Sequence, residues 1–98
     1  MQGRGGVLRT MMVRFSGALL RFTEYRRIIN VAAPTVEAAL IRLADDYQPL
    51  KPVLFDRSGR LRAAHRIFLN GEQLKPEQLI HPAGDADSVD LFLAISGG

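Results

Sequence analysis

The stretch that most limits what this chain can become is the apolar stripe running from Val36 to Tyr47. Val36, Ala39, Leu40, Leu43, Ala44 and Tyr47 fall at i, i+3, i+4, i+7, i+8 and i+11, and Glu37, Arg42, Asp45 and Asp46 lie off that line. Both ends carry helix signals. Pro34 favours extended geometry in the residue before it, Thr35 offers a hydroxyl to the free N–H groups of a first turn, Glu37 suits the positive end of the dipole, and Pro49 stops the pattern. A helix this short, with a single apolar stripe, is not stable alone. It must lie across a sheet that the rest of the chain supplies.

Strand-like alternation appears on both sides of that helix. Met11, Val13 and Phe15 alternate with Met12, Arg14 and Ser16, and residues 27–32 are rich in Ile and Val, so two early strands are expected as an antiparallel hairpin. The intervening residues 17–25 read as a loop, in which residues 18–21 can form one helical turn. After the helix, residues 50–60 read as an irregular connection with Ser58-Gly59 as a turn signal, and the pattern leaves open a short strand at residues 53–55. Residues 64–69 form a third strand with Ile67 and Leu69 on one face. It ends in Asn70-Gly71, which suits a tight reversal because both central positions of a type I′ turn need positive φ. Gln73-Leu74 can add a short return strand, residues 76–80 one helical turn, and residues 84–87 a turn into the last strand. There Val89, Leu91, Leu93 and Ile95 alternate with Asp90, Phe92 and Ala94. The layout is α+β, a mixed sheet of four to five strands packed on one main helix, and the last strand is expected beside the first.

Composition narrows the function classes. The 98 residues suit one domain, divided as a glycine-rich mobile tail over 1–10, a folded domain over 11–95 and an extended thread over 96–98. Met1, Met11 and Met12 are all candidate starts. Without cysteine there is no disulfide, no thiolate nucleophile and no thiolate metal site. No apolar run reaches the ~20 residues that span a bilayer, and no apolar segment follows the basic amino terminus as in a signal peptide, so a cytoplasmic protein without a membrane partner is expected. The net charge of +3 comes from eleven Arg and two Lys against ten carboxylates. Scattered arginines with only Phe22 and Tyr25 beside Arg21, Arg26 and Arg27 read first as a solvated surface, and nucleic acid is not the expected partner. His65 and His81 stand sixteen residues apart without supporting ligands, so they read as structural and no metal site is expected. Asp85 and Asp87 read as turn residues that bond their own backbone, and Asp45-Asp46 as the solvated end of the helix.

The last strand runs into Ser96, Gly97 and Gly98. Glycines add no packing and order at high entropic cost, so they finish a strand poorly but make a thin thread able to enter a narrow channel. Such a thread presents the Gly98 α-carboxylate, ionised at neutral pH from its ordinary pKa of about 3.5. The bland alternative is a frayed or truncated end. Phe92 points away from the Val89, Leu91 and Leu93 face, either as a lone surface aromatic or as a docking anchor.

From about residue 11 to 98 the chain resembles the ubiquitin-like β-grasp sulfur carriers of the MoaD/ThiS type. The likeness rests on the Pro34-Thr35-Val36 helix start, the Phe68-Leu69-Asn70-Gly71-Glu72 strand and turn, and the acidic turn Asp85-Ala86-Asp87-Ser88-Val89 leading to Gly97-Gly98. The connection over residues 54–61 is more like the molybdopterin-synthase small subunit and the cysteine-biosynthesis carrier than the thiamine carrier. Prolines common before the tail in the molybdopterin branch are replaced here by Leu93-Ala94-Ile95-Ser96.

The resemblance implies a substrate protein rather than an enzyme, with no bound cofactor. A ubiquitin-activating-type partner would adenylate Gly98 with ATP and magnesium, and a sulfurtransferase or cysteine desulfurase would supply sulfur for a thiocarboxylate. Ser96 and Gly97 would thread the partner's channel and Phe92 would dock on it. In the molybdopterin branch a synthase large subunit would be a further partner. The alternatives are a ubiquitin-like protein modifier and a β-grasp interaction or RNA-binding module that uses its arginines.

Overall fold

The structure, a computed structural model, describes residues 10–93. Helix α1 spans Val36–Asp46 and begins where the sequence signals it: the Thr35 hydroxyl accepts a hydrogen bond from the Ala38 N–H at 3.0 Å. Val36, Ala39, Leu40, Leu43 and Ala44 are buried, and Tyr47, one residue past the helix, is half-buried against them. The stripe covers one face of a sheet made by β1 (Thr10–Phe15), β2 (Ile28–Ala32), β3 (His65–Leu69), β4 (Glu72–Gln73) and β5 (Ser88–Leu93). Among the described residues these five strands run in the order β2-β1-β5-β3-β4.

The last strand therefore lies between the first and the third. β1 pairs antiparallel with β2 and parallel with β5, while β5 pairs antiparallel with β3. Strand parity then decides burial. Met11, Val13, Val89 and Leu91 are wholly buried, and Val31 and Ile67 nearly so, forming the core with the α1 stripe. Strand β1 begins at Thr10, one residue before the expected domain boundary, and Thr10 N–H donates to the Asp85 carboxylate at 2.9 Å.

The connection after α1 is more ordered than its sequence suggests. Gln48–Leu50 forms a 3-10 turn, and α2 (Lys51–Leu54) follows directly, with no strand at residues 53–55 beyond a single bridge between Phe55 and Leu61. Pro49 and Pro52 sit in the first turns of these two short helices, where a missing N–H is harmless. The proline that ends one helix thus starts the next turn, and Leu50 and Leu54 are driven fully into the core. Residues 17–22 also form a 3-10 helix, which buries Leu19.

The reversal after β3 is the expected kind. Asn70 and Gly71 take φ of 52° and 88°, a pair of left-handed conformations that asparagine tolerates and glycine adopts freely. Asn70 also ties two strands together. Its side chain donates to Asp87 at 3.0 Å and accepts from the Ser88 N–H at 2.9 Å, and its backbone N–H donates to the Ser88 carbonyl at 2.7 Å. The Asp87 carboxylate accepts a further bond from Gly84 N–H at 2.8 Å. These bonds, the one from Asn70 first, hold the Asp87 carboxyl below its ordinary pKa.

Candidate functional site

The outer face of the sheet, away from α1, is where the chain presents its uncovered surface. On β5 the alternation leaves Asp90 partly exposed and Phe92 43% exposed. Phe92 is not a lone surface aromatic. Its ring meets Phe68 of β3 edge to face, with centroids 5.6 Å apart and planes at 85°, the arrangement favoured by the ring quadrupoles. Phe68 stands opposite Asp90, and Arg66 opposite Phe92.

On the other side of β5, Arg14 of β1 stands opposite Asp90, and its Nε lies 2.7 Å from the carboxylate. The Arg14 guanidinium also donates to the Ser88 hydroxyl at 3.2 Å. Ile28 of β2 pairs with Arg14 and is half exposed, and Met12 of β1 is on the same face. Four apolar side chains, Met12, Ile28, Phe68 and Phe92, thus surround a central ion pair. Arg14, Ile28, Asp90 and Phe92 border a shallow depression of about 410 Å³. The ion pair is exposed enough to contribute only about 0–1 kcal/mol to stability, so its main effect is to hold both charged groups in place on the face. Such a surface offers an apolar anchor and a polar centre to a partner; it has no nucleophile activated by a neighbouring base.

His65 is buried and its Nε2 donates to the Val53 carbonyl at 2.8 Å, while His81 lies exposed in a loop. Among the described residues no group of three or more His, Asp or Glu is placed to hold a metal ion. Asp87 bonds its own turn as expected. Asp85 differs, since it accepts from the Thr10 N–H at the start of β1. Asp45 and Asp46 are exposed at the end of α1. Ser96, Gly97 and Gly98 lie outside the described residues, so the structure positions Phe92 but not the tail. The sequence shows Phe68, Arg14 and Asp90 as strand positions and does not mark them as site residues. Their strand parity was visible, but their meeting depends on register.

No protein-family model and no curated protein matches the sequence. Solved structures do match. Small archaeal modifier protein 1 (SAMP1) from Haloferax volcanii aligns over 91% of this chain and 99% of its own, with 25% identity and a TM-score of 0.80. A chain of the Amycolatopsis orientalis BexX/CysO complex aligns over 90% of this chain and 99% of its own at 18% identity and TM-score 0.76. Urm1 from Sulfolobus solfataricus aligns over 84% of this chain and 97% of its own at 19% identity and TM-score 0.68. No helix among the described residues is long and apolar enough to cross a membrane. The strand order, the single long helix and these likenesses agree: the chain has the ubiquitin-like β-grasp fold, which it shares with a small archaeal modifier protein, with a chain of the BexX/CysO complex and with Urm1.

Proposed function

We propose that the chain is a cytoplasmic sulfur carrier activated at Gly98. A carboxylate resists nucleophiles until one oxygen becomes a leaving group. In the proposed cycle a ubiquitin-activating-type enzyme, using ATP and magnesium, joins the Gly98 carboxylate to AMP and releases pyrophosphate. A persulfide on a sulfurtransferase or cysteine desulfurase then attacks the acyl carbon and expels AMP. A thiol cleaves the resulting acyl disulfide and leaves the thiocarboxylate, which donates sulfur in molybdopterin-like, cysteine or related biosynthesis.

The observation that carries this reading is the setting of β5. The strand that precedes Gly97-Gly98 in the sequence is central in the sheet and presents Phe92 on an exposed face, one residue before the end of β5. The last described strand is thus held between two neighbours and carries an exposed apolar side chain. In this reading Phe92 docks on the activating enzyme while Ser96 and Gly97 pass through its channel. A synthase large subunit is a further partner if the sulfur goes to a pterin.

A second reading is favoured by the likeness to a protein named as a modifier. It uses the same adenylation, followed by attack of a lysine amine of another protein on the activated Gly98.

Intact mass after incubation with ATP, a sulfur donor and the activating enzyme of the source genome tests both readings. The carrier reading expects one oxygen replaced by sulfur, in the terminal peptide, and no change in a chain lacking Gly98. Conjugates to lysines would support the modifier, and no product with a demonstrably active partner would overturn both.

A further inference from the structure

We propose that the helix side of the molecule carries a second docking surface, which takes an acidic peptide segment bearing one large apolar side chain. Two adjoining clefts, of about 410 and 650 Å³, share Ile41, Phe55, Gly59 and Arg62. They lie beside α1, on the side of the sheet opposite Phe92 and the Arg14–Asp90 pair. Ile41 is 48% exposed on their rim although it belongs to the main helix, and Leu40, Leu61 and half-buried Phe55 supply an apolar floor.

The wall of these clefts is built in advance. The Asp56 carboxylate accepts from Ser58 N–H at 2.9 Å, from the Ser58 hydroxyl at 2.6 Å and from Arg60 N–H at 3.0 Å, which closes residues 56–60 into a fixed loop. A loop already ordered loses little entropy when a partner binds.

Charge says what kind of partner fits. Lys51, Arg57, Arg60 and Arg62 line the clefts, and none of them is in a salt bridge among the described residues. Of the three carboxylates there, Asp56 is occupied by its own loop, leaving Glu37 and Asp45. Unpaired arginines around an apolar floor complement a segment that combines carboxylates with an apolar anchor.

His65 adds an independent sign. It lines the smaller cleft and is 7% exposed, and its Nδ1 is buried with no hydrogen-bond partner. In the neutral tautomer whose Nε2 donates to the Val53 carbonyl, Nδ1 is an acceptor without a donor. A peptide N–H satisfies it, whereas the oxygens of a bare anion do not. A nucleic acid fits less well, since among the described residues Phe55 is the one Phe, Tyr or Trp lining either cleft, His65 is buried, and base-binding grooves stack on several exposed rings.

Randomised short peptides selected against the full chain, with affinities by fluorescence anisotropy, test the proposal. Enriched sequences should pair carboxylates with Phe, Trp or Leu and shift the amide resonances of α1 and residues 55–66. Binding should also move the His65 Nδ1 nitrogen resonance toward that of a hydrogen-bonded acceptor. The double change Arg57→Glu with Arg60→Glu should weaken binding about tenfold or more, Ile41→Asp should do likewise, and Arg21→Glu with Arg26→Glu, a charge change equal to that of the double cleft variant but outside the clefts, should leave it unaltered. All these side chains are exposed, so an unchanged melting temperature checks the fold. The proposal is overturned if no peptide is enriched, if binding survives both cleft variants, or if an oligouridine RNA gives the shifts instead. Concentration-dependent dimerisation abolished by Ile41→Asp, without peptide binding, would overturn it in favour of a second copy.

Discussion

On one face of β5, Val89 and Leu91 are wholly buried beneath α1; on the other, Asp90 and Phe92 stand among Arg14, Phe68 and Ile28, and no helix among the described residues lies over them. The two faces share a backbone and a hydrogen-bond ladder, yet they do opposite work. The inner one is uniformly apolar and its contribution is stability. The outer one mixes rings, an aliphatic side chain and an ion pair, a composition that suits a surface meant to be covered part of the time. A one-residue slip of β5 would exchange the two faces, so the register is what keeps them apart. The Asn70–Asp87–Ser88 bonds lie where that register begins.

The strongest way to break the comparison is to empty the inner face. Leu91→Ala should cost about 2–5 kcal/mol in denaturant unfolding, through lost transfer energy and the cavity left under α1. A loss as small as that of an exposed residue would show that the core does not rest on this strand.

A smaller effect on stability, and a larger one on binding, is expected on the outer face. Phe92→Ala should cost roughly 0.5–1.5 kcal/mol through the lost ring pair with Phe68. The same variant should bind the activating enzyme markedly more weakly in a titration. Unchanged affinity would remove Phe92 from the docking surface.

The smallest effect sharpens the role of register. The Asp87 carboxyl is held below its ordinary pKa in the folded chain, so the unfolded chain binds its proton more readily. The stability this confers is fully present above the unfolded value near 3.9 and is lost as pH falls through the lower folded value. Unfolding followed across that window should show stability falling with acid, and the Asp87 share of the fall should shrink in Asn70→Ala, which lacks the leading donor. An identical acid response in the two proteins would assign the effect elsewhere.

Much of this is legible in the sequence. The Val36 stripe with Thr35 before it specified α1, and the alternation from Val89 onward separated Leu91 from Phe92 by face. Asn70-Gly71 announced its own turn. Residues 48–54 are not legible in the sequence, because Pro49 reads as a breaker and nothing marks Pro52, whereas their place in two first turns makes both of them starters. The outer face was legible only as separate residues. Arg14 meets Asp90, and Phe68 meets Phe92, across strand pairings that bring together distant parts of the chain.

Local order in the amino acids by itself determined the elements and their buried sides, since periodicity and capping act within a few residues. The tertiary structure alone decided that β5 lies parallel to β1 between the hairpin and β3, and hence which side chains share the exposed face and which surround the clefts beside α1. Those choices are made by long-range strand pairing and by burying one common core, and no short window of sequence contains either partner's position.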